Sequence, residues 1–203
     1  MRAVRVCLLI FTLAAGLAAQ QHIVLRADLA KSEFHIELGR AGLLKAFGDD
    51  HLIRVTDYRC EVSLDEQTPA KSAISLTIRT QSLEVTDPGL AAEKRAEVQR
   101  RMQGPEVLDV ARYPEIKFVS RRLTPAGNQR FRVEGDLRIR DSTRPVAFEV
   151  TFAPEAGVRH VSGEARVRQT DFGIQPVSAG AGTVKVKDEM KIVFHILLGP
   201  DPL

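Results

Sequence analysis

Beyond its first twenty residues the chain alternates between apolar and polar positions with a period of two, the pattern of strands buried on one side. Phe34, Ile36 and Leu38 share one face of the first clear strand, and Ile74, Leu76 and Ile78 share one face of KSAISLTIRT. In FRVEGDLRIR, Phe131, Val133, Leu137 and Ile139 oppose Arg132, Glu134, Asp136 and Arg138. Val146, Phe148, Val150 and Phe152 repeat the pattern in VAFEVTF, and Val161, Ala165 and Val167 repeat it after the next turn. The last strand, within residues 183–198, sets Ile192, Phe194, Ile196 and Leu198 against Val193, His195 and Leu197, so its inward face is ambiguous. With HLIRVTDYRCEVSL and PEIKFVSRRL the pattern predicts about eight strands. Turn-forming clusters at residues 65–69, 124–128, 141–144 and 154–157 separate them, too short for parallel crossovers.

One segment departs from period two. Asp87-Pro88 reads as an N-cap and first helical residue, GLAAEKRAEVQRRMQ follows, and Gly104-Pro105 stops the helix. Its thin apolar stripe of Ala91, Val98 and Met102 suits a helix lying across a sheet or a barrel mouth. Eight antiparallel strands either stack as a sandwich or close as a barrel. Closure removes the exposed edges and leaves an interior suited to side chains or one small ligand.

The chain is long enough, at 203 residues, to bury a core without disulfides and short enough for one domain. Its start departs from everything after it. Arg2 and Arg5 precede an uncharged run from residue 6 to 19, and Gly16 and Ala18 have the spacing of a signal-peptidase site. Fourteen residues fall short of the roughly 20 that a membrane span needs. Residues 1–19 are therefore expected to be a signal peptide and residues 20–203 the exported domain, in the periplasm or secreted. Removing Arg2 and Arg5 from the 29 basic residues leaves 27 against 26 acidic ones, a charge of +1. That balance makes no electrostatic case for nucleic acid or an anionic membrane as partner. Cys60 becomes the single cysteine, read as a buried, inert thiol.

Nucleophile elbows, CxxC pairs, HExxH and phosphate loops are all absent from the sequence, so no catalytic residue, metal site or cofactor is assigned. The densest polar cluster is Gly48-Asp49-Asp50-His51, which reads either as a carboxylate–imidazole pair or as a polar turn entering a strand. His35 and His195 alternate with apolar neighbours and are expected on outer strand faces.

Several ordered segments resemble the YceI-like family of lipid- or polyisoprenoid-binding proteins. Val107-Leu108-Asp109-Val110, then Tyr113-Pro114-Glu115-Ile116-Lys117-Phe118, is similar to the segment following that family's helix. Gly135-Asp136-Leu137-Arg138-Ile139 with Thr143-Arg144-Pro145-Val146 resembles its hairpin. Asp171-Phe172-Gly173-Ile174 resembles a strand end, and Asp188-Glu189 precedes the final strand. The chain departs from the family pattern at Gln169, where arginine is common, at Asp141-Ser142, and in LLKAFGDDHLIRV.

The resemblance implies an all-β, eight-stranded antiparallel, lipocalin-like barrel with one short helix between strands. It also implies a non-enzymatic exported protein holding a polyisoprenoid or quinone tail in an apolar tunnel. Expected lining residues are Phe34, Ile36, Leu76, Ile78, Phe118, Val133, Leu137, Phe148, Val150, Phe172, Ile192 and Phe194. Two other classes remain open: an enzyme acting on a small lipid, or through a metal-dependent site, with His51 and Asp49 or Asp50, and a ligand-free barrel serving as a scaffold for protein contacts. Oligomeric state has no signal in the sequence.

Overall fold

A computed structural model describes residues 23–41, 50–65, 67–155, 158–179 and 184–200. The expected signal peptide and Asp49 lie outside the described residues. The strands are β1 (Ile23–Ala27), β2 (Glu33–Ala41), β3 (His51–Val55), β4 (Tyr58–Leu64), β5 (Ala73–Arg79) and β6 (Leu83–Val85). After helix α1 (Ala92–Gln103) come β7 (Glu115–Gly127), β8 (Arg130–Ile139), β9 (Ser142–Glu155), β10 (Val158–Arg168), β11 (Ser178–Ala179) and β12 (Val184–Pro200).

Antiparallel pairing runs β1-β4-β5-β7-β8-β9-β10-β12, and β12 pairs again with β1, which closes the ring. These eight strands make a barrel, as the alternation and the resemblance led one to expect. The predicted strand over residues 51–64 is kinked rather than straight. Three adjacent staves break at one level: β1 from β2 at Asp28–Ser32, β3 from β4 at Thr56-Asp57, and β5 from β6 at Thr80–Ser82. Polar side chains pin the breaks together. The Thr56 hydroxyl donates to the Ser82 carbonyl at 2.8 Å, the Asp57 N–H donates to Ser82 Oγ at 3.1 Å, and Leu197 N–H donates to Ser32 Oγ at 3.0 Å. Beyond the breaks β2, β3 and β6 pair in order, so the three staves continue past the breaks as one sheet.

The hairpin between β7 and β8 turns on Asn128 and Gln129, with φ of 51° and 60°. Two positive φ values in succession match the right-handed twist of the flanking strands. The opposite parity question in β12 resolves through its neighbours. Phe194 faces Phe34 on β2 and Gly163 on β10, and Ile196 and Leu198 are buried.

The helix begins at Ala92, not at Pro88, and Asp87 does not cap it. Instead α1 is stitched to the free edge of β6. Gln99 Oε1 accepts the Val85 N–H and Gln99 Nε2 donates to the Leu83 carbonyl, both at 2.7 Å. One side-chain amide thus stands where the peptide group of a next strand would stand. Gln99→Leu leaves both backbone groups without their partner. It is expected to cost about 2 kcal/mol, read by urea denaturation, with faster amide exchange at Val85.

Beside the strand end, Asp188 clasps the turn at Thr170–Phe172. Thr170 donates its N–H and its hydroxyl to that carboxylate, at 2.9 and 2.7 Å. Burial alone would raise the Asp188 carboxyl, but the Thr170 hydrogen bonds and Arg168 hold it below the usual aspartate value. A depressed folded value contributes stability above the unfolded pKa that is lost as pH falls through the folded one. Acidification below about pH 4 is therefore expected to loosen this turn in the wild type, and Asp188→Asn to remove that acid-dependent component of the melting temperature.

Candidate functional site

Inward positions on both sides of the breaks enclose a cavity of about 520 Å³. Aliphatic side chains from nearly every stave form its wall, among them Ile36, Ile53, Leu76, Ile78, Leu137, Val150 and Ile192. Helix α1 contributes Val98 and Met102 across the mouth, as its apolar stripe led one to expect.

Aromatic rings cross the interior in a chain of three edge-to-face contacts and one tilted contact. Tyr58 meets Phe34 at 5.2 Å between centroids, Phe34 meets Phe194 at 6.2 Å, Phe194 meets Phe148 at 6.0 Å, and Phe148 meets Phe118 at 5.5 Å. Tilted contacts of this kind set the negative face of one ring against the positive edge of the next. Two glycines make room for the chain. A Cβ on Gly135 would lie 2.6 Å from the Phe118 ring, and one on Gly163 would lie 2.8 Å from Phe194 Cζ.

Ten of the twelve residues expected to line a tunnel do face this cavity: Phe34, Ile36, Leu76, Ile78, Phe118, Leu137, Phe148, Val150, Ile192 and Phe194. Val133 and Phe172 do not. Val133 is inward but wholly buried, paired with Leu123 and Phe148, and is part of the packed core. Phe172 lies on the turn after β10, buried against β9 and β10. Alternation gives the side of the sheet a residue faces, and not its height along the barrel.

Cys60 also faces the cavity. Burial, with the nearby Glu61 carboxylate, pushes its thiol up to about 12. A thiol that stays protonated is a poor nucleophile. Iodoacetamide at pH 8 is expected to leave Cys60 unmodified in the folded domain lacking residues 1–19, and to add one equivalent after denaturation. Rapid labelling of the folded protein, followed by mass spectrometry, would contradict that burial.

Polar side chains gather at the mouth: Arg40, His51, Lys94, Glu97, Arg101, Gln169 and Ser178. Each cation has an acid beside it, Arg40 with Asp50 at 3.3 Å, Lys94 with Glu97 at 3.0 Å and Arg101 with Glu106 at 3.3 Å. Asp50 accepts the Arg40 N–H as well, so it does not serve His51. The carboxylate on His51 comes from Asp87, whose Oδ2 lies 2.6 Å from His51 Nδ1 while its Oδ1 accepts the Leu52 N–H. Asp87 is 3% exposed. Sequence adjacency points to Asp49 or Asp50 for this pairing. The true partner lies 36 residues away and arrives through the β3–β6 pairing. Among the described residues, no group of three or more His, Cys, Asp and Glu comes together to hold a metal ion. Nor is any helix among them long and apolar enough to cross a membrane.

Residues 26–198 match the model of the YceI-like domain. The chain belongs to the YceI-like family. A UPF0312 protein of Pseudomonas syringae pv. tomato is 30% identical over 145 residues, 68% of this chain and 69% of its own length. A UPF0312 protein of Vibrio cholerae is 26% identical and covers 83% of this chain and 90% of itself. Among solved structures, Burkholderia cenocepacia BcnA superposes with a TM-score of 0.67 at 23% identity, over 84% of this chain and 98% of that one. The Campylobacter jejuni YceI protein gives 0.60 at 13% identity, over 74% and 85%. YceI-like proteins are lipocalin-like barrels and generally binding proteins.

Proposed function

We propose that this YceI-like protein is an exported, non-enzymatic carrier that holds the isoprenoid tail of a lipid, a polyisoprenoid or a quinone, inside its barrel. The observation that carries the reading is the continuous apolar cavity of about 520 Å³ within a closed ring of strands. That volume is in the range of small-ligand sites, whose walls are mostly apolar with a few polar groups to set orientation. Each Å² of ligand hydrocarbon removed from water contributes roughly 25 cal/mol. The signal-like first 19 residues supply the export route.

The test is native mass spectrometry on protein purified from the exported fraction of a bacterial host, before and after solvent extraction. A discrete adduct that extracts as an isoprenoid is the expected result. An apo mass with no uptake of added geranylgeraniol or decylubiquinone would overturn the carrier reading.

A further inference from the structure

The mouth of the cavity carries one hydrogen-bonding group whose character is set by its partner. His51 lines the cavity, its side chain 17% exposed. Its Nδ1 lies 2.6 Å from Asp87 Oδ2, and a carboxylate only accepts. The hydrogen therefore resides on Nδ1. The second Asp87 oxygen is occupied by the Leu52 N–H at 2.6 Å, which fixes the carboxylate and with it the ring. In the neutral imidazole Nε2 is then a bare lone pair, and among the described residues nothing donates to it. The lining cations Arg40, Lys94 and Arg101 each have an acid within 3.3 Å, so the mouth is no uncompensated cationic site for a phosphate.

From this geometry, and resting on the carrier reading above, we infer that the neutral His51 ring presents Nε2 as the acceptor that selects lipids ending in a hydroxyl, a prenyl alcohol, phenol or quinol, over ethers and quinones. A hydroxyl head donates its hydrogen to Nε2 at the cavity mouth while the tail fills the apolar space below. An ether or quinone carbonyl offers only lone pairs and leaves Nε2 facing another acceptor. Such a mismatch in a site sheltered from water costs more than the bond itself contributes. Asp87 acts through His51, as a positioning residue that keeps the hydrogen on the far nitrogen.

Geranylgeraniol and its methyl ether share one tail and differ in the single O–H. Displacement of a fluorescent fatty-acid probe measures both affinities, and their ratio is the readout, so a general loss of stability moves both ligands together. The wild type is expected to bind the alcohol roughly tenfold more tightly. In His51→Leu the ratio falls to about one. In Asp87→Asn the amide NH₂ faces Nδ1, which must then accept, and the ring hydrogen moves to Nε2. The imidazole keeps its place, yet the alcohol's advantage disappears. A role for Asp87 confined to supporting the fold would leave that ratio unchanged. Equal binding of alcohol and ether by the wild type would overturn the selection and leave the carrier reading standing. A preference that survives either substitution would overturn the assignment to His51. Binding of neither ligand would overturn the carrier reading and this inference with it.

Discussion

Gly135→Ala is expected to lower the unfolding free energy by about 3 kcal/mol, for the addition of one methyl group. The new Cβ would meet the backbone oxygen of Val119 and lie 2.6 Å from two Phe118 ring atoms. Backbone on a paired strand cannot step aside. The Phe118 ring cannot swing away either, because Phe148 packs against it at 5.5 Å and Leu137 pairs opposite it. A contact under 3 Å is therefore relieved only by moving β7 from β8, which disturbs their shared hydrogen bonds. Gly199→Ala is the control: nothing lies within 4 Å of its added Cβ, so its stability should stay within about 0.5 kcal/mol of wild type. Urea denaturation of the two variants side by side decides the matter. A Gly135→Ala midpoint equal to that of the wild type would mean that the aromatic chain yields easily.

The second large effect concerns binding rather than stability. Ala165 projects into the cavity wall from β10, opposite Ile192 on β12. Ala165→Trp fills part of the existing space with an indole ring and removes no packing. The melting temperature should hold or rise, while a prenyl ligand loses the volume it would occupy. If the ring displaces roughly 150 Å² of ligand contact, the loss is about 4 kcal/mol, close to a thousandfold in affinity. Retained binding of geranylgeraniol by a folded Ala165→Trp protein would place the ligand outside this cavity.

The wall of the cavity was legible in the sequence because period-two alternation is a direct trace of a one-sided strand. Phe148 and Val150, or Ile192 and Phe194, declare their face by their neighbours. Depth is another matter. Val133 alternates as faithfully as Leu137, yet it lies in the packed core and not in the cavity wall. Height along a barrel depends on strand register and tilt, which a single strand's pattern does not carry. The mouth was less legible still. Asp50 adjoins His51 in sequence, but it lies just outside β3 and bonds to Arg40. Asp87 reaches His51 because β3 and β6 pair. Read alone, Asp87-Pro88 looks like a helix start; the carboxylate is instead taken by Leu52 and His51 on the neighbouring strand β3.

The amide of Gln99 has a consequence for how the protein behaves in a crowd. A closed barrel has no free edges, and the ring closes where β12 pairs with β1; beyond the break in its stave, however, β5 continues as β6, which pairs with β3 on one side alone. That leaves a short stretch of strand with the Val85 N–H and Leu83 carbonyl directed outward, and a single glutamine side chain covers both. Exposed edges of this kind are templates for adding a strand from another molecule. The helix therefore guards the barrel against its own kind. Where the helix is held, molecules meet as sealed cylinders. Where it lifts, the first new neighbour β6 can accept is a strand from a second copy, the opening step of domain swapping or fibrous aggregation.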